Sequence, residues 1–194
     1  MITVATEKRY TPEDLLTMPD GKLYELVEGR LVERTMSIWS SYVAGVIFRM
    51  LELFCRENRL GWVFPEGTSF QCFPALPGRV RKPDVSFIRL QRLSLTQATT
   101  EGHCPIAPDL VVEVVSPNDT TYETDEKVRE FLDAGVPLVW VVNPEQRTVE
   151  IHRASGTGTI LRENDEIGGE DVIPGFRSRV GDFTLPPPGV ERGN

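Results

Sequence analysis

The sequence predicts a mixed α/β or α+β domain built around a β-sheet. Its predicted segments follow the order helix, several strands, helix and strand, which is typical of a sheet flanked by helices. Residues 109–115 and 137–142 are apolar on both faces, as expected of central strands that are covered on both sides. With 194 residues the chain is long enough to bury a core. We therefore expect one domain over residues 1–185 and a loose tail rich in Pro and Gly over residues 186–194.

The N-terminal part predicts a short helix followed by a β-hairpin. Thr11-Pro12-Glu13-Asp14 combines a capping residue, a first-turn proline and acids that suit the positive end of the helix dipole. Pro19-Asp20-Gly21 ends this helix. Residues 22–27 and 30–34 then alternate polar and apolar side chains around Glu28-Gly29, which indicates a hairpin extension.

The middle of the chain predicts the longest helix and several strands. Apolar residues recur at helical spacing over residues 40–58. Residues 62–64 and 68–73 are typical of strands, and so are residues 84–88.

The C-terminal half predicts a second helix and an outer hairpin. Val128, Phe131 and Leu132 share a helix face within residues 126–134, and Gly135 ends the helix. Residues 147–152 and 159–162 indicate two outer strands.

Composition limits the classes of function. Lys plus Arg is 21 and Asp plus Glu is 29, so the formal net charge is −8. This charge disfavours a strong, nonspecific coat on nucleic acid, although a metal can bridge acids to phosphate. Three cysteines form no CxxC pair, and the first residues lack a signal pattern. No apolar run in the sequence approaches a bilayer span, so we expect a cytoplasmic protein with reduced thiols and no membrane partner.

Three charged residues stand out within otherwise apolar segments. Asp84 opens one predicted strand, Glu113 interrupts the valine run of the next, and Lys127 lies on a predicted helix. A buried carboxylate is costly unless a cation or a donor meets it. If the two strands are neighbours, both carboxylates can hold one divalent ion, with the Val114 carbonyl as a further oxygen ligand. Lys127 can then orient the attacking water or stabilise the charge that develops during phosphodiester hydrolysis.

Two structural readings of these residues remain open on spacing alone. Pro83-Asp84 can form a turn in which the aspartate caps a backbone amide. Glu113 and Lys127 can form a buried ion pair without any ligand.

Five segments, in order, resemble the Uma-type putative restriction endonuclease family of the PD-(D/E)XK nuclease superfamily. The resemblance extends from about residue 10 to residue 185. The segments are residues 24–32, residues 82–85, residues 107–117, Glu126-Lys127 and residues 134–144.

The resemblance implies a restriction-endonuclease-like fold with a mixed central sheet flanked by helices. It implies that Asp84 and Glu113 are the two acids of the superfamily and that Glu25 has a peripheral role in the site. The superfamily lysine usually lies two residues after the second acid, where this chain has Val115. The family instead has a lysine on the next helix, which corresponds to Lys127. The implied protein is a DNA endonuclease that uses Mg²⁺ or Mn²⁺, and a homodimer is one way to cut two strands.

This chain departs from the family pattern at two positions. The family commonly has a histidine at the start of the long helix, where this chain has Ser40, and an aspartate where it has Asn143. The alternative function is therefore a catalytically inactive nuclease fold that binds nucleic acid or protein.

Overall fold

A six-stranded mixed sheet lies at the centre of the fold and confirms the predicted fold class. The computed structural model describes residues 8–34 and 36–190. The strands in chain order are β1 (Tyr24–Val27), β2 (Arg30–Glu33), β3 (Gly61–Pro65), β4 (Val85–Arg89), β5 (Leu110–Val114), β6 (Leu138–Asn143), β7 (Thr148–Arg153), β8 (Gly158–Arg162), β9 (Glu166–Gly169) and β10 (Ile173–Arg179). The helices are α1 (Pro12–Thr17), α2 (Ile38–Glu57), α3 (Leu95–Ala98), α4 (Thr121–Asp133) and α5 (Gly181–Thr184).

The central sheet has the order β3-β4-β5-β6-β7-β8. Its β5–β6 pair is parallel and the other four pairs are antiparallel. Helix α4 connects the two parallel strands, as such a crossover requires. The predicted outer hairpin is β7–β8, and it extends the sheet to its edge.

Side chains of the sheet alternate between two apolar clusters, one on each face. On one face, Val112 and Val114 pack with buried residues of α2 and of the β9–β10 hairpin. On the other face, Val111 packs with Val128 and Phe131 of α4. The second cluster also covers the loop around Phe70. The sheet is therefore covered on both sides, as the valine runs predicted.

The N-terminal helix and hairpin form as predicted. Thr11 caps α1 in a capping box with Asp14. β1 and β2 pair antiparallel around Glu28 and Gly29, which both have positive φ angles of 50° and 76°. The hairpin joins the rest of the fold through a bridge between Leu26 and Val80.

Two predicted elements were wrong in type or extent. Residues 68–73 form no strand, because Phe70 makes only isolated bridges to Arg81 and Cys104 while its side chain is buried. The apolar pattern there serves a packed loop instead of a strand. Helix α4 begins at Thr121, five residues before the predicted start, because Thr120 and Glu123 form a capping box. Strands β9 and β10 and helix α5 were not predicted from the sequence pattern. Residues 191–194 of the predicted tail lie outside the described residues.

Among the described helices, α2 alone is long and apolar enough to cross a membrane by length and composition. The core helix of a folded domain passes the same test. Val43, Ile47 and Leu51 lie on one side of α2 and are buried in the cluster on the sheet. We therefore interpret α2 as a core helix.

The cap of α4 provides a test of this fold assignment. Replacing Thr120 by alanine removes the acceptor for the Glu123 backbone N–H, which lies 3.2 Å from the Thr120 hydroxyl. We expect the free energy of unfolding to fall by about 1 kcal/mol in urea titrations. Thr121→Ala, one residue further along and exposed, is the matched control. Equal losses in both variants would contradict the cap.

Candidate active site

The strand register brings Asp84 and Glu113 to the same face of the sheet. Val85 pairs with Val112 in the antiparallel β4–β5 pair, so the next position along this register places Asp84 opposite Glu113. Because side chains alternate along a strand, Glu113 shares the face of Val111, which α4 covers. Asp84 shares the face of Ile88 for the same reason. Both acids therefore point toward α4, and both are buried.

Both oxygens of the Asp84 carboxylate have a donor. Oδ2 accepts the Val114 backbone N–H at 2.6 Å. Oδ1 lies 2.5 Å from Nη2 of Arg34, which follows β2 in the hairpin. Asp84 therefore links the hairpin extension to the end of β5.

The Glu113 carboxylate is only half satisfied. Its Oε2 accepts from the Lys127 ammonium at 3.4 Å. Its Oε1 is buried and has no hydrogen-bond partner among the described residues. A buried oxygen in this condition is costly unless a ligand or an ion meets it.

Glu25 lies on the other side of Lys127 and is fully engaged. Its Oε2 lies 3.5 Å from the Lys127 ammonium and 3.0 Å from Nη1 of Arg81. Its Oε1 accepts the Lys82 backbone N–H at 2.8 Å. Glu25 is thus a holder of Lys127 and not an open ligand.

A second ion network anchors α4 behind the site. Nε of Arg81 donates to Glu130 at 2.7 Å, and Glu130 lies on α4 one turn after Lys127. Arg79 Nη1 lies 2.9 Å from Glu130 Oε1 and forms an ion pair with it, but not a hydrogen bond. Arg79, Arg81 and Glu130 are all buried. The network fixes the helix that carries Lys127.

Burial and neighbouring charges set the protonation of the site. Burial raises the pKa of Glu113 to about 7, because it and the charges of Asp84 and Glu25 outweigh the attraction of Lys127. Burial also raises the pKa of Asp84 despite Arg34. Burial alone would lower the pKa of Lys127, but Glu113 and Glu25 raise it, so the lysine stays charged. The pKa of Glu25 is lowered, unlike those of Glu113 and Asp84. Burial alone would raise it, but the charges of Lys127, Arg81 and Arg34 together outweigh burial.

The pairing of Lys127 with Glu113 offsets the effect of burial on the charged form of Lys127 but not on that of Glu113. The pairing favours charge on Lys127, whereas the pKa of Glu113 is raised despite it. Glu113 is the less satisfied partner, because its Oε1 has no donor among the described residues, whereas Lys127 has a second carboxylate. The ionised Glu113 is therefore a strained group in the metal-free protein.

This strain predicts that stability depends on pH through Glu113. The folded pKa of about 7 exceeds the usual 4.5, so the folded protein binds the Glu113 proton more tightly than the unfolded chain does. The stability that this proton contributes is fully present below the pKa of Glu113 in the unfolded chain. It is lost as the pH rises through the pKa of Glu113 in the folded protein. We expect the ionisation of Glu113 to lower the free energy of unfolding by about 3 kcal/mol as the pH rises from 5 to 8. Urea unfolding of the wild type and Glu113→Gln in EDTA at several pH values measures this difference.

The matched control is Glu145→Gln, which removes an exposed glutamate in the turn between β6 and β7. Its difference from the wild type should stay constant over this pH range. A difference between the wild type and Glu113→Gln that also stays constant would contradict the assignment.

The site residues line one cleft of about 440 Å³ between the hairpin, the ends of β4 and β5, and the start of α4. Glu25, Arg34, Asp84, Glu113 and Lys127 all reach it. Eight acidic and four basic residues line the cleft, so its wall is acidic as a whole. Such a wall attracts divalent cations and repels phosphate in their absence.

The donor set suits a hard divalent metal. Among the described residues no group of three or more His, Cys, Asp and Glu side chains is arranged to hold an ion. Mg²⁺, however, commonly takes only one or two carboxylates and keeps several waters. The unpaired Glu113 Oε1 and the facing Asp84 fit this pattern. The residues present therefore fit the implied metal.

Every side chain that the sequence predicted for the site lies at this cleft, and Val114 borders it. Ser40 lies beside it, where its hydroxyl donates to the Val115 carbonyl at 3.0 Å. Sequence reasoning missed Arg34, Arg81 and Glu130. The available signal for Glu130 was an acid on α4 three residues after Lys127, and so on the same side of the helix.

Comparisons with known proteins agree with this fold. The crystal structure of a putative nuclease belonging to DUF820 from Anabaena variabilis superimposes with a TM-score of 0.75 and 18% sequence identity. The match covers 90% of this chain and 97% of that chain, and at this identity it shows the fold alone. No curated protein matches the sequence.

The family assignment comes from a sequence model. The model described as "Uma2: Putative restriction endonuclease" matches residues 12–184, nearly the whole chain. Family and fold together support a nuclease, and hence a hydrolase in general. The chain belongs to the Uma2 family of putative restriction endonucleases.

Proposed function

We propose that this protein is a Mg²⁺-dependent endodeoxyribonuclease, with Mn²⁺ as an alternative metal. One observation carries the proposal: the Asp84 and Glu113 carboxylates face each other in a cleft where Glu113 Oε1 has no partner among the described residues. Asp84, Glu113 and the Val114 carbonyl would hold the metal, which supplies an activated water and polarises the phosphoryl group when bound.

Lys127 supplies positive charge at the reacting phosphate. Its ammonium lies 3.4 Å from Glu113 and its side chain is 21% exposed, so it can also face the cleft. Because the carboxylates raise its pKa, Lys127 is a stabiliser of developing negative charge and not a base. Glu25 acts as a positioning residue, since it holds Lys127 at 3.5 Å.

The acidic wall of the cleft makes metal a condition for substrate binding. Phosphates are repelled by the eight carboxylates until divalent cations neutralise part of that charge. DNA binding should therefore be weak in EDTA and should strengthen when Mg²⁺ is added.

The test is cleavage of plasmid DNA, linear duplex, single strands and RNA with Mg²⁺, Mn²⁺ or EDTA. We expect metal-dependent cleavage of DNA by the wild type and by Glu145→Gln, and none by Asp84→Asn. Equal activity in the wild type and Asp84→Asn would refute the assigned metal site. Cleavage in EDTA would refute the metal dependence, and cleavage of RNA alone would refute the DNA substrate.

An inactive nuclease fold is the second candidate, and the ion pair between Arg34 and Asp84 favours it. In that case Asp84 is satisfied within the protein and needs no metal. The absence of both cleavage and heat of Mn²⁺ binding in the wild type would support this candidate.

We propose also that cleavage of both strands uses two copies of the chain. Light scattering of the protein with and without duplex DNA would measure this assembly. A single copy on the duplex would contradict it.

A further inference from the structure

Arg34 occupies a position in the cleft that the proposed metal also needs. Its Nη2 lies 2.5 Å from Asp84 Oδ1, and its Nη1 lies 3.2 Å from Glu66 Oε1. The Arg34 side chain is only 10% exposed. This inference rests on the proposed function, because it takes Asp84 as a metal ligand.

A metal on Asp84 would meet the guanidinium directly. Mg²⁺ binds carboxylate oxygens at about 2.0–2.1 Å, shorter than the contact that Arg34 makes with the same oxygen. The other oxygen, Oδ2, already accepts the Val114 N–H at 2.6 Å. A divalent ion and a guanidinium side by side on one oxygen repel each other strongly. Metal and Arg34 therefore compete for Asp84.

The displaced guanidinium would remain in the cleft, because Arg34 is part of its lining. Arg81 and Lys127, two other basic residues there, are held by Glu25, Glu130 and Glu113. A planar guanidinium binds phosphate through two parallel hydrogen bonds, which a carboxylate partner also accepts. The ligand that suits a released Arg34 is therefore a phosphate of the substrate.

We propose that Arg34 takes the place of the metal on Asp84 in the metal-free protein and moves to a substrate phosphate when the metal binds. Arg34 is then a substrate-binding residue that is available only in the metal-loaded site. Its exchange of partners links metal binding to substrate binding without any change of the main chain.

Calorimetric titration with Mn²⁺, without DNA, tests the competition. We expect Arg34→Met to bind Mn²⁺ at least about tenfold more tightly than the wild type, because the guanidinium that competes for Asp84 is gone. Arg34→Lys should lie between them, since an ammonium keeps the charge but lacks the planar fork that contacts Asp84 and Glu66 together. Equal or weaker binding by Arg34→Met would overturn the proposal.

The Asp84→Asn variant separates this result from the fate of the proposed function. If Asp84→Asn abolishes Mn²⁺ binding and Arg34→Met leaves it unchanged, the metal site stands and the role of Arg34 is wrong. If neither the wild type nor Arg34→Met binds Mn²⁺, both proposals are wrong.

A measurement on the wild type follows the Arg34 guanidinium directly. The Nε–Hε resonance of Arg34 can be followed by NMR during titration with Mg²⁺, with Arg34→Lys identifying the signal by its loss. We expect the resonance to shift as Asp84 is taken by the metal. An unchanged resonance at saturating Mg²⁺ would overturn the displacement.

Fluorescence anisotropy of labelled DNA in the presence of Ca²⁺ tests the phosphate contact. We expect Arg34→Met to bind DNA about tenfold more weakly than the wild type, the effect of one lost charged contact. The matched control is Arg49→Met, which removes an exposed arginine from α2 on the opposite face of the sheet. Equal losses in the two variants, or no binding by the wild type, would overturn the phosphate contact.

Discussion

Replacing Glu113 by glutamine is expected to abolish DNA cleavage and, at pH 8, to stabilise the metal-free protein. Glutamine keeps the shape of the side chain but removes a charge that burial, Asp84 and Glu25 all disfavour. Cleavage should fall by at least about 10²-fold, because the proposed metal would lose one of its two carboxylate ligands. The midpoint of thermal unfolding in EDTA should rise by roughly 5–10 °C at pH 8 and change little at pH 5.

These opposite effects distinguish a metal site from a structural ion pair. If Glu113 served only to neutralise Lys127, removing its charge would leave a buried cation short of a partner and lower the stability. Thermal unfolding and cleavage should therefore be measured on the same preparation, with Glu145→Gln as the control. A less stable Glu113→Gln that still cleaves DNA would contradict the metal site.

Replacing Arg81 by methionine is expected to have the largest effect on stability. Its guanidinium lies 3.0 Å from Glu25 and 2.7 Å from Glu130, and all three residues are buried. Removing it takes from Glu130 the Nε–H that donates to its carboxylate, and from Glu25 one of its cationic partners. A loss of this kind costs about 3–5 kcal/mol in the free energy of unfolding, which urea titration can measure.

Arg79→Met provides the matched control for this loss. Arg79 is equally buried and lies near the same Glu130, but its Nη1 makes no hydrogen bond, and Arg81 can still hold Glu130 in this variant. We expect its effect to be less than half as large. Equal losses for the two arginines would show that Arg81 has no special part in the network.

The two acids of the candidate site could be singled out because they interrupt the pattern of apolar strand residues. A charge within a run of valines is visible in the sequence, and the alternation of a strand fixes the face to which Glu113 points. The helix of Lys127 followed from its apolar periodicity and from Gly135. What spacing alone could not give is that β4 and β5 are neighbours, which the resemblance to a family supplied.

The cationic partners of the site could not be predicted in this way. Arg34 lies at the end of a polar hairpin strand, where an arginine is ordinary, and reaches Asp84 only through the folding of the hairpin over the sheet. The contacts of Arg81 with Glu130 join residues 49 positions apart. Residues 68–73 carry the composition of a strand but are buried as a loop, since burial and pairing leave the same apolar signal.

The anchoring of α4 bears on how precisely the candidate-site lysine, Lys127, is positioned. Lys127 and Glu130 are three residues apart on α4 and so lie on the same side of the helix. The position of a lysine on a strand is fixed by the hydrogen bonds of the sheet. The position of a lysine on a helix depends on how firmly the whole helix is held. The ion pairs of Arg79 and Arg81 with Glu130 hold α4 in place and so fix the position of Lys127. Moving such a lysine from a strand to a helix in a related fold would therefore require two changes. One is the lysine itself, and the other is a buried ion pair one helical turn away that holds the helix.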